Sequence, residues 1–266
     1  MADVQQAPAA FDGLSFPDGQ DDVILVWGDS SVFGPKGRTD WSQTNYENAV
    51  VQVLSNIYRS QVGKALIDHL ARQDRLVMIM PCTTGDPRTT AMDIHAAFPA
   101  GVRERLCTST GYRHVGARRL LARYTGTGRG SPAAILFTPG AYVGKTSAGE
   151  RQDEVLLHEL VHAIRITTGT QTCRPWGHQM HSVDEVIAIT LTNLYSSTLN
   201  PPRPLRKDHT GYSAVQGSPE DWIDHMKPAL QEFARRNQLL VYHLQRASLQ
   251  SGFQPFRGSI LGSMQL

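Results

Sequence analysis

The spacing of apolar residues along the chain predicts both strands and helices. Short continuous apolar runs that end in turn residues are typical of buried strands, and they occur at 23–27, 76–80 and 133–137. Apolar residues recur at helical spacing over 45–73, 150–167 and 183–196. In the first of these helices we expect a kink at Gly63.

The last predicted helix begins with a strong start signal. Ser218 is suited to the N-cap position, Pro219 to the first helical position, and two acids follow. Because proline removes a backbone donor, we expect Pro228 to split this helix into segments 219–226 and 228–247.

These elements predict one α+β domain that is mostly helical and spans residues 21–250. Residues 1–20 are rich in Ala, Gln, Pro and Gly and are expected to form a flexible N-terminal tail, and residues 251–266 a C-terminal tail. Residues 81–130 show no clear periodicity and are interpreted as irregular.

Composition narrows the class of protein. The chain has 266 residues, 40% of them hydrophobic and 19% charged, which is typical of a globular protein. A net charge of +2 argues against a general polyanion binder, so nucleic acid is not an expected partner. Three cysteines without a CxxC spacing do not form a disulfide framework. No apolar run is long enough to span a membrane.

The most informative motif is the pentad His158-Glu159-Leu160-Val161-His162, an H-E-x-x-H sequence within the predicted helix 150–167. Residues four apart lie on one helix face, so His158 and His162 can bind one metal ion. Glu159 is placed to take a proton from an attacking water. The alternative interpretation, an ordinary amphipathic helix, would leave these polar groups buried and unpaired at a cost in free energy.

A catalytic zinc usually has three protein ligands. Asp184 and Glu185 begin the next predicted helix and are both candidates for the third, although acids in a first turn are also favoured by the helix dipole. His178 and His181 are further candidates. The metzincin pattern fails because position 168 is Thr.

The pentad followed by this acidic helix start resembles the gluzincin zinc metallopeptidases. Within that group, residues 130–215 are similar to bacterial secreted effector and toxin peptidases, including NleD-type effectors, type VI spike-associated metallopeptidase domains and, more distantly, clostridial neurotoxin light chains. The resemblance implies a zincin-like domain, Zn²⁺ as cofactor, and Glu185 rather than Asp184 as third ligand.

The resemblance also implies roles for later residues. The donor to the oxyanion is expected to be Tyr212, His209 or Arg206, in that order. The strand 133–137 is expected to be an edge strand that pairs with a peptide substrate. Thermolysin-like enzymes orient a ligating histidine with an Asp where this chain has Ile189, so Asn193 or a backbone carbonyl is expected to replace it.

A protein of this kind would cut peptide bonds in a target-cell protein. Its expected partners are a protein or peptide substrate and a secretion apparatus or cognate immunity protein. The first 20 residues contain no Lys, Arg or apolar core of a cleavable signal, so we expect synthesis in the bacterial cytoplasm, followed by secretion or injection.

Two other functions remain open. Gly28-Asp29-Ser30 after a predicted strand resembles the first block of GDS-type serine esterases, but no D-x-x-H follows near the C-terminus. A binding protein would combine a structural zinc, with Cys173 as a fourth ligand, and an arginine-rich docking surface in 101–130. A zinc with an open coordination position would indicate an enzyme, whereas a zinc with four protein ligands would indicate such a binding protein.

Overall fold

The structure is a computed structural model that describes residues 9–10, 23–28, 43–82, 87–92, 126, 128–172, 174–177 and 179–258. Helices and strands are both present, which confirms the predicted α+β class. A large apolar core, from Ile24 to Phe256 near the C-terminus, joins the sheet and the helices, and a smaller cluster around Met80 and Leu136 lies apart from it.

Five strands of the described chain form one sheet in the order β1-β2-β3-β5-β4. Their bounds are β1 Ala9–Ala10, β2 Ile24–Val26, β3 Val77–Met80, β4 Arg88–Ala91 and β5 Ala133–Leu136. The central strands β2, β3 and β5 run parallel, while β1 and β4 pair antiparallel at the two edges. All four residues of β5 are buried, as expected for a strand covered on both faces.

Six α-helices lie in the same residues. Their bounds are α1 Gln43–Arg59, α2 Gln61–Ala71, α3 Gln152–Thr167, α4 Val183–Thr198, α5 Pro219–Arg236 and α6 Gln238–Ala247, and a short 3-10 helix covers Pro139–Tyr142. The central helix is α3, which contacts α1, α2, α4, β4 and β5. Its almost complete burial explains the near-continuous apolar sequence around the H-E-x-x-H pentad.

A close backbone approach anchors the C-terminal end of α3. The N–H groups of Gly128 and Ser131 donate to the carbonyls of Gly169 and Ile166 at 3.0 and 3.1 Å. A Cβ atom on Gly130 would lie 1.8 Å from the carbonyl oxygen of Thr167, so only glycine permits this approach. The segment that leads into β5 is thereby joined directly to the end of the helix that carries the H-E-x-x-H pentad.

The structure places two helix breaks at residues other than those predicted. The first predicted helix is interrupted at Ser60, whose hydroxyl accepts from the N–H of Gly63 and caps α2. Gly63 instead allows the backbone to pack closely, because a Cβ atom at this position would lie 2.1 Å from the carbonyl oxygen of Ile57. Pro228 does not split α5: it is exposed, and the helix continues to Arg236 before Asn237 separates it from α6.

The sequence interpretation missed two strands, β1 and β4, and set one boundary early. β4 lies within 81–130, where no periodicity is visible, because its pattern is polar until Ala91. The core also extends past residue 250, since Phe253 and Phe256 are 1% and 2% exposed. Of the predicted N-terminal tail, only β1 lies within the described residues. Among the described helices none has the length and hydropathy of a membrane span.

Candidate metal centre

The two helices that carry the candidate ligands pack against each other in antiparallel orientation, and polar bridges join them at both ends. At one end, Tyr195 and Ser196 of α4 donate from their hydroxyls to Asp153 and Glu154 of α3 at 2.7 and 2.6 Å. At the other end, Arg165 of α3 donates to Asp184 of α4. The candidate ligands lie between these bridges, so the relative position of the two helices is fixed on both sides of the site.

His158, His162 and Glu185 form the one group of potential metal ligands found among the described residues. The Nε2 atoms of the two histidines are 3.2 Å apart, and each lies close to Oε2 of Glu185, at 3.1 and 3.3 Å respectively. A tetrahedral zinc with bonds of 2.0–2.1 Å requires donor atoms about 3.3 Å apart. The three donors therefore have the spacing of three corners of such a tetrahedron.

Asp184 and Glu185, which the residues alone left as alternatives, have separate partners. Oδ1 of Asp184 accepts from Nε of Arg165 at 2.5 Å and from the backbone N–H of Thr172 at 3.0 Å. Its neighbour Glu185 turns toward the histidines. The acidic first turn of α4 thus contributes one residue to the helix bridge and one to the ligand group.

The metal centre is buried on one side and open on the other. Side-chain exposure rises from 7% at His158 through 15% at His162 to 20% at Glu185. The adjacent His209 is 32% exposed, with its Nε2 at 3.2 Å from Oε2 of Glu185. The group is therefore accessible from the side on which His209 lies.

Burial and neighbouring charges shift the pKa values of His158 and His162 in opposite directions. Burial lowers the pKa of His158 to about 4, against the opposing effect of Glu185. Burial also acts to lower the pKa of His162, but the charges of Glu185 and Glu159 outweigh it and raise that pKa to about 9. Burial would raise the pKa of Glu185, yet the nearby His162 and His209 hold it well below its usual range. This mutual stabilisation is typical of a negatively charged ligand among imidazoles.

Glu159, the candidate base, is 5% exposed and faces the edge strand β4. Oγ1 of Thr89 in that strand lies 2.8 Å from Oε2 of Glu159 and 3.0 Å from the backbone oxygen of the same residue. Burial raises the pKa of the Glu159 carboxyl, which favours its action as a proton acceptor. No sequence signal pointed to Thr89, because β4 itself was not predicted.

The loop that carries His209 is held by Arg206 and Asn193. Asn193, 1% exposed on α4, both donates to the carbonyl oxygen and accepts from the N–H of Arg206, at 2.8 and 2.7 Å. The Arg206 guanidinium then donates to the carbonyls of Asp208 and His209 at 2.8 and 3.0 Å. Asn193 therefore positions this loop rather than orienting a ligating histidine, the role that the resemblance implied.

The three predicted oxyanion donors occupy different positions. His209 contacts the ligand group directly, whereas the Arg206 guanidinium lies over the ring of Tyr212 with its central carbon 4.6 Å from the ring centroid. Arg206 is thus engaged with the loop carbonyls and with Tyr212, while His209 lies beside the ligand group. His181, with φ +60°, lies next to it with the ring centroids 4.8 Å apart.

The expectation that 133–137 is an edge strand is wrong. β5 lies between β3 and β4, and both of its neighbours occupy its hydrogen-bonding edges. β4 is the edge strand of the described sheet beside Glu159. A short antiparallel strand with a largely polar sequence carries little periodicity, so this assignment could not be made from the sequence.

Several candidate residues lie outside the described residues: His178, Cys173, Asp29, Ser30 and all arginines of the arginine-rich segment except Arg129. The esterase alternative and the cysteine-containing structural zinc site thus stay predictions.

No protein-family model matches the chain, and no curated protein or solved structure matches it significantly. Function therefore has to be inferred from the site itself.

Proposed function

We propose that the protein is a zinc-dependent endopeptidase whose metal is held by His158, His162 and Glu185. The observation that carries this proposal is the tetrahedral spacing of the three donor atoms, 3.1 to 3.3 Å, with an acidic residue adjacent to the first ligand. Two imidazoles and a carboxylate suit zinc and leave a fourth position for water or substrate. When bound, zinc supplies polarisation of the scissile carbonyl and activation of water.

The remaining chemistry belongs to the side chains of the chain itself. Glu159 accepts a proton from the attacking water and passes it to the departing amine. The Thr89 hydroxyl holds the Glu159 carboxylate in place. His209, on the open side of the site, donates a hydrogen bond to the oxygen that gains negative charge.

The edge strand β4 supports a peptide as substrate. In the described part of the chain β4 lies at the edge of the sheet, and an extended peptide can add to a sheet edge through main-chain hydrogen bonds, with side-chain pockets supplying selectivity. Since Thr89 of β4 contacts Glu159, a peptide added to this edge would pass directly over the base. The same argument favours cleavage within a chain over removal of terminal residues.

The biological setting in this proposal follows from the resemblance to secreted effector and toxin peptidases. In that setting the protein cuts a target-cell protein and has a secretion-apparatus partner or a cognate immunity protein in the producing cell.

The test combines metal content with hydrolysis of a proteome-derived peptide library read by mass spectrometry. The wild type is expected to hold about one zinc per chain and to cut the library. Glu159→Gln should keep the zinc and lose cleavage by a factor of about 10²–10⁴. The exposed Glu220→Gln is the matched control and should behave as the wild type. Full activity of Glu159→Gln, or no cleavage by zinc-loaded wild type, would refute the proposal.

One observation favours a second candidate, a binding protein with a structural metal. His209 lies as close to Oε2 of Glu185 as the two helix histidines do, so a small movement would give a closed site with four protein ligands. If His209 is a fourth ligand, replacing it should lower the metal content. If the protein is the proposed enzyme, the same variant should keep its metal.

A further inference from the structure

A second cavity, unconnected with the metal chemistry, lies where α1, the loop after the 3-10 helix and the start of α3 meet. Its volume is about 440 Å³, within the range of sites for small molecules. Four basic residues line it, Arg59, Lys145, Arg151 and Arg203, against a single acidic residue, Asp153. Such a concentration of cations around one cavity contrasts with the net charge of +2 of the whole chain.

The single acid is neutralised within the protein. Both carboxylate oxygens of Asp153 accept from Nη1 of Arg203 at 2.8 Å, and the hydroxyl of Tyr195 also donates to this carboxylate. Asp153 is 9% exposed and therefore offers little negative potential to a ligand. Arg203 also lies 3.7 Å from the buried carboxylate of Glu154, so this wall offers a ligand no uncompensated positive charge.

Of the other three cations, Arg59, Lys145 and Arg151, only Lys145 has a carboxylate partner in the described part of the chain. The Arg59 guanidinium donates to the amide oxygen of Asn56 at 3.3 Å, and within the described residues neither Arg59 nor Arg151 forms an ion pair with a carboxylate. Lys145 pairs with Glu150 at 3.2 Å, but its side chain is 48% exposed, and such surface pairs contribute little. Arginine forms paired hydrogen bonds that match phosphate oxygens, so this set favours a phosphate-bearing ligand.

We propose that this cavity binds a small molecule that carries at least two linked phosphate groups. The cavity is far larger than one phosphate requires, and its cations come from α1, the loop and α3. Val53, Tyr142 and Leu199 give it an apolar wall that suits a carbon-containing portion of the ligand. Binding here is independent of the proposed peptidase activity.

Isothermal titration calorimetry on the full-length, metal-free chain tests the proposal with inorganic triphosphate as the probe. Removing the metal prevents the probe from acting as a zinc ligand, and sodium chloride keeps the ionic strength equal in every titration because surface charges are screened by salt. We expect micromolar binding of triphosphate by the wild type, and binding of orthophosphate that is at least tenfold weaker.

The double variant Arg59→Gln/Arg151→Gln should weaken triphosphate binding at least tenfold. The control Arg235→Gln/Arg257→Gln removes the same charge from exposed positions outside the cavity and should leave the affinity unchanged. Circular dichroism confirms that each variant is folded. No heat at 1 mM triphosphate, equal affinity for orthophosphate, or unchanged binding by the cavity variant would overturn the proposal.

Discussion

Arg165 and Asp184 form a buried ion pair that joins the ends of α3 and α4, with Nε of Arg165 donating to Oδ1 of Asp184 at 2.5 Å. The Arg165 side chain is 4% exposed, and its Nη2 also donates to the carbonyl of Thr170 at 2.7 Å. This pair occupies Asp184 and leaves Glu185 as the carboxylate that faces His158 and His162.

Replacing Glu185 and replacing Asp184 should therefore have different effects. Glu185→Ala removes one of three ligands and should weaken metal binding by more than the roughly 10–100-fold typical of losing an outer-shell contact. Asp184→Ala should leave about one metal per folded chain but lower the free energy of unfolding by about 3–5 kcal/mol, because Arg165 loses its buried partner. Elemental mass spectrometry and chemical denaturation measure these effects. Loss of metal in Asp184→Ala alone would reverse the assignment.

His209 is predicted to act on the substrate rather than hold the metal. His209→Ala should lower kcat by about 10²–10³, the effect of losing one oxyanion donor, while the zinc content stays near that of the wild type. Matched metal analysis and steady-state kinetics check this. If the same variant loses its zinc, His209 is a fourth ligand and the centre is structural.

Thr89 is predicted to position Glu159. Thr89→Val keeps a β-branched residue suited to a strand but removes the hydroxyl that contacts the carboxylate, so kcat should fall about tenfold with unchanged metal content. Thr89→Ser restores a hydroxyl and should recover most of the activity. Equal rates for the valine variant and the wild type would show that the contact is structural.

His69, in the last turn of α2, should make the fold sensitive to acid. Burial is the main cause that lowers its pKa from 6.5 to about 4, with smaller effects from the charges of Arg72 and His243. Since the folded pKa is below the unfolded one, the stabilisation is fully present above about pH 6.5 and is lost as pH falls toward 4. The shift corresponds to about 3 kcal/mol.

Denaturation of metal-free protein at a series of pH values measures this loss. His69→Gln should flatten the decline between pH 6.5 and 4 by up to that amount, because glutamine does not titrate. Metal-free samples remove the effect of acid on ligand binding from both curves. Parallel curves for wild type and variant would contradict the assignment to His69.

The helix that carries His158 and His162 was predictable from the sequence because its signals are local. His158 and His162 are one turn apart, and their helix begins and ends close to the predicted bounds. The same holds for Ser218, which caps α5 as expected. Periodicity, capping and motif spacing operate within a few residues and do not need the tertiary structure.

The features that the sequence did not predict depend on contacts between distant segments. Thr89 reaches Glu159 across 70 positions of the chain, and β4 becomes a strand only through its pairing with β5. Glu185 was expected in place of Asp184 from the resemblance alone, whereas the partner of Asp184, Arg165, is visible only in the structure. Pro228 is tolerated because it lies on the exposed face of α5. The local sequence around each of these residues carries no information about its distant partner.

The bridges at both ends of α3 and α4 imply that a metal would bind to a rigid receptor. These bridges fix the two helices through residues other than the candidate ligands, and the apolar core does not depend on an ion. A chelator should therefore remove the ion without unfolding the domain, in contrast to zinc fingers, whose folding requires the metal. Amide hydrogen exchange in the two helices should change little on removal, and the apo protein should regain its metal without refolding.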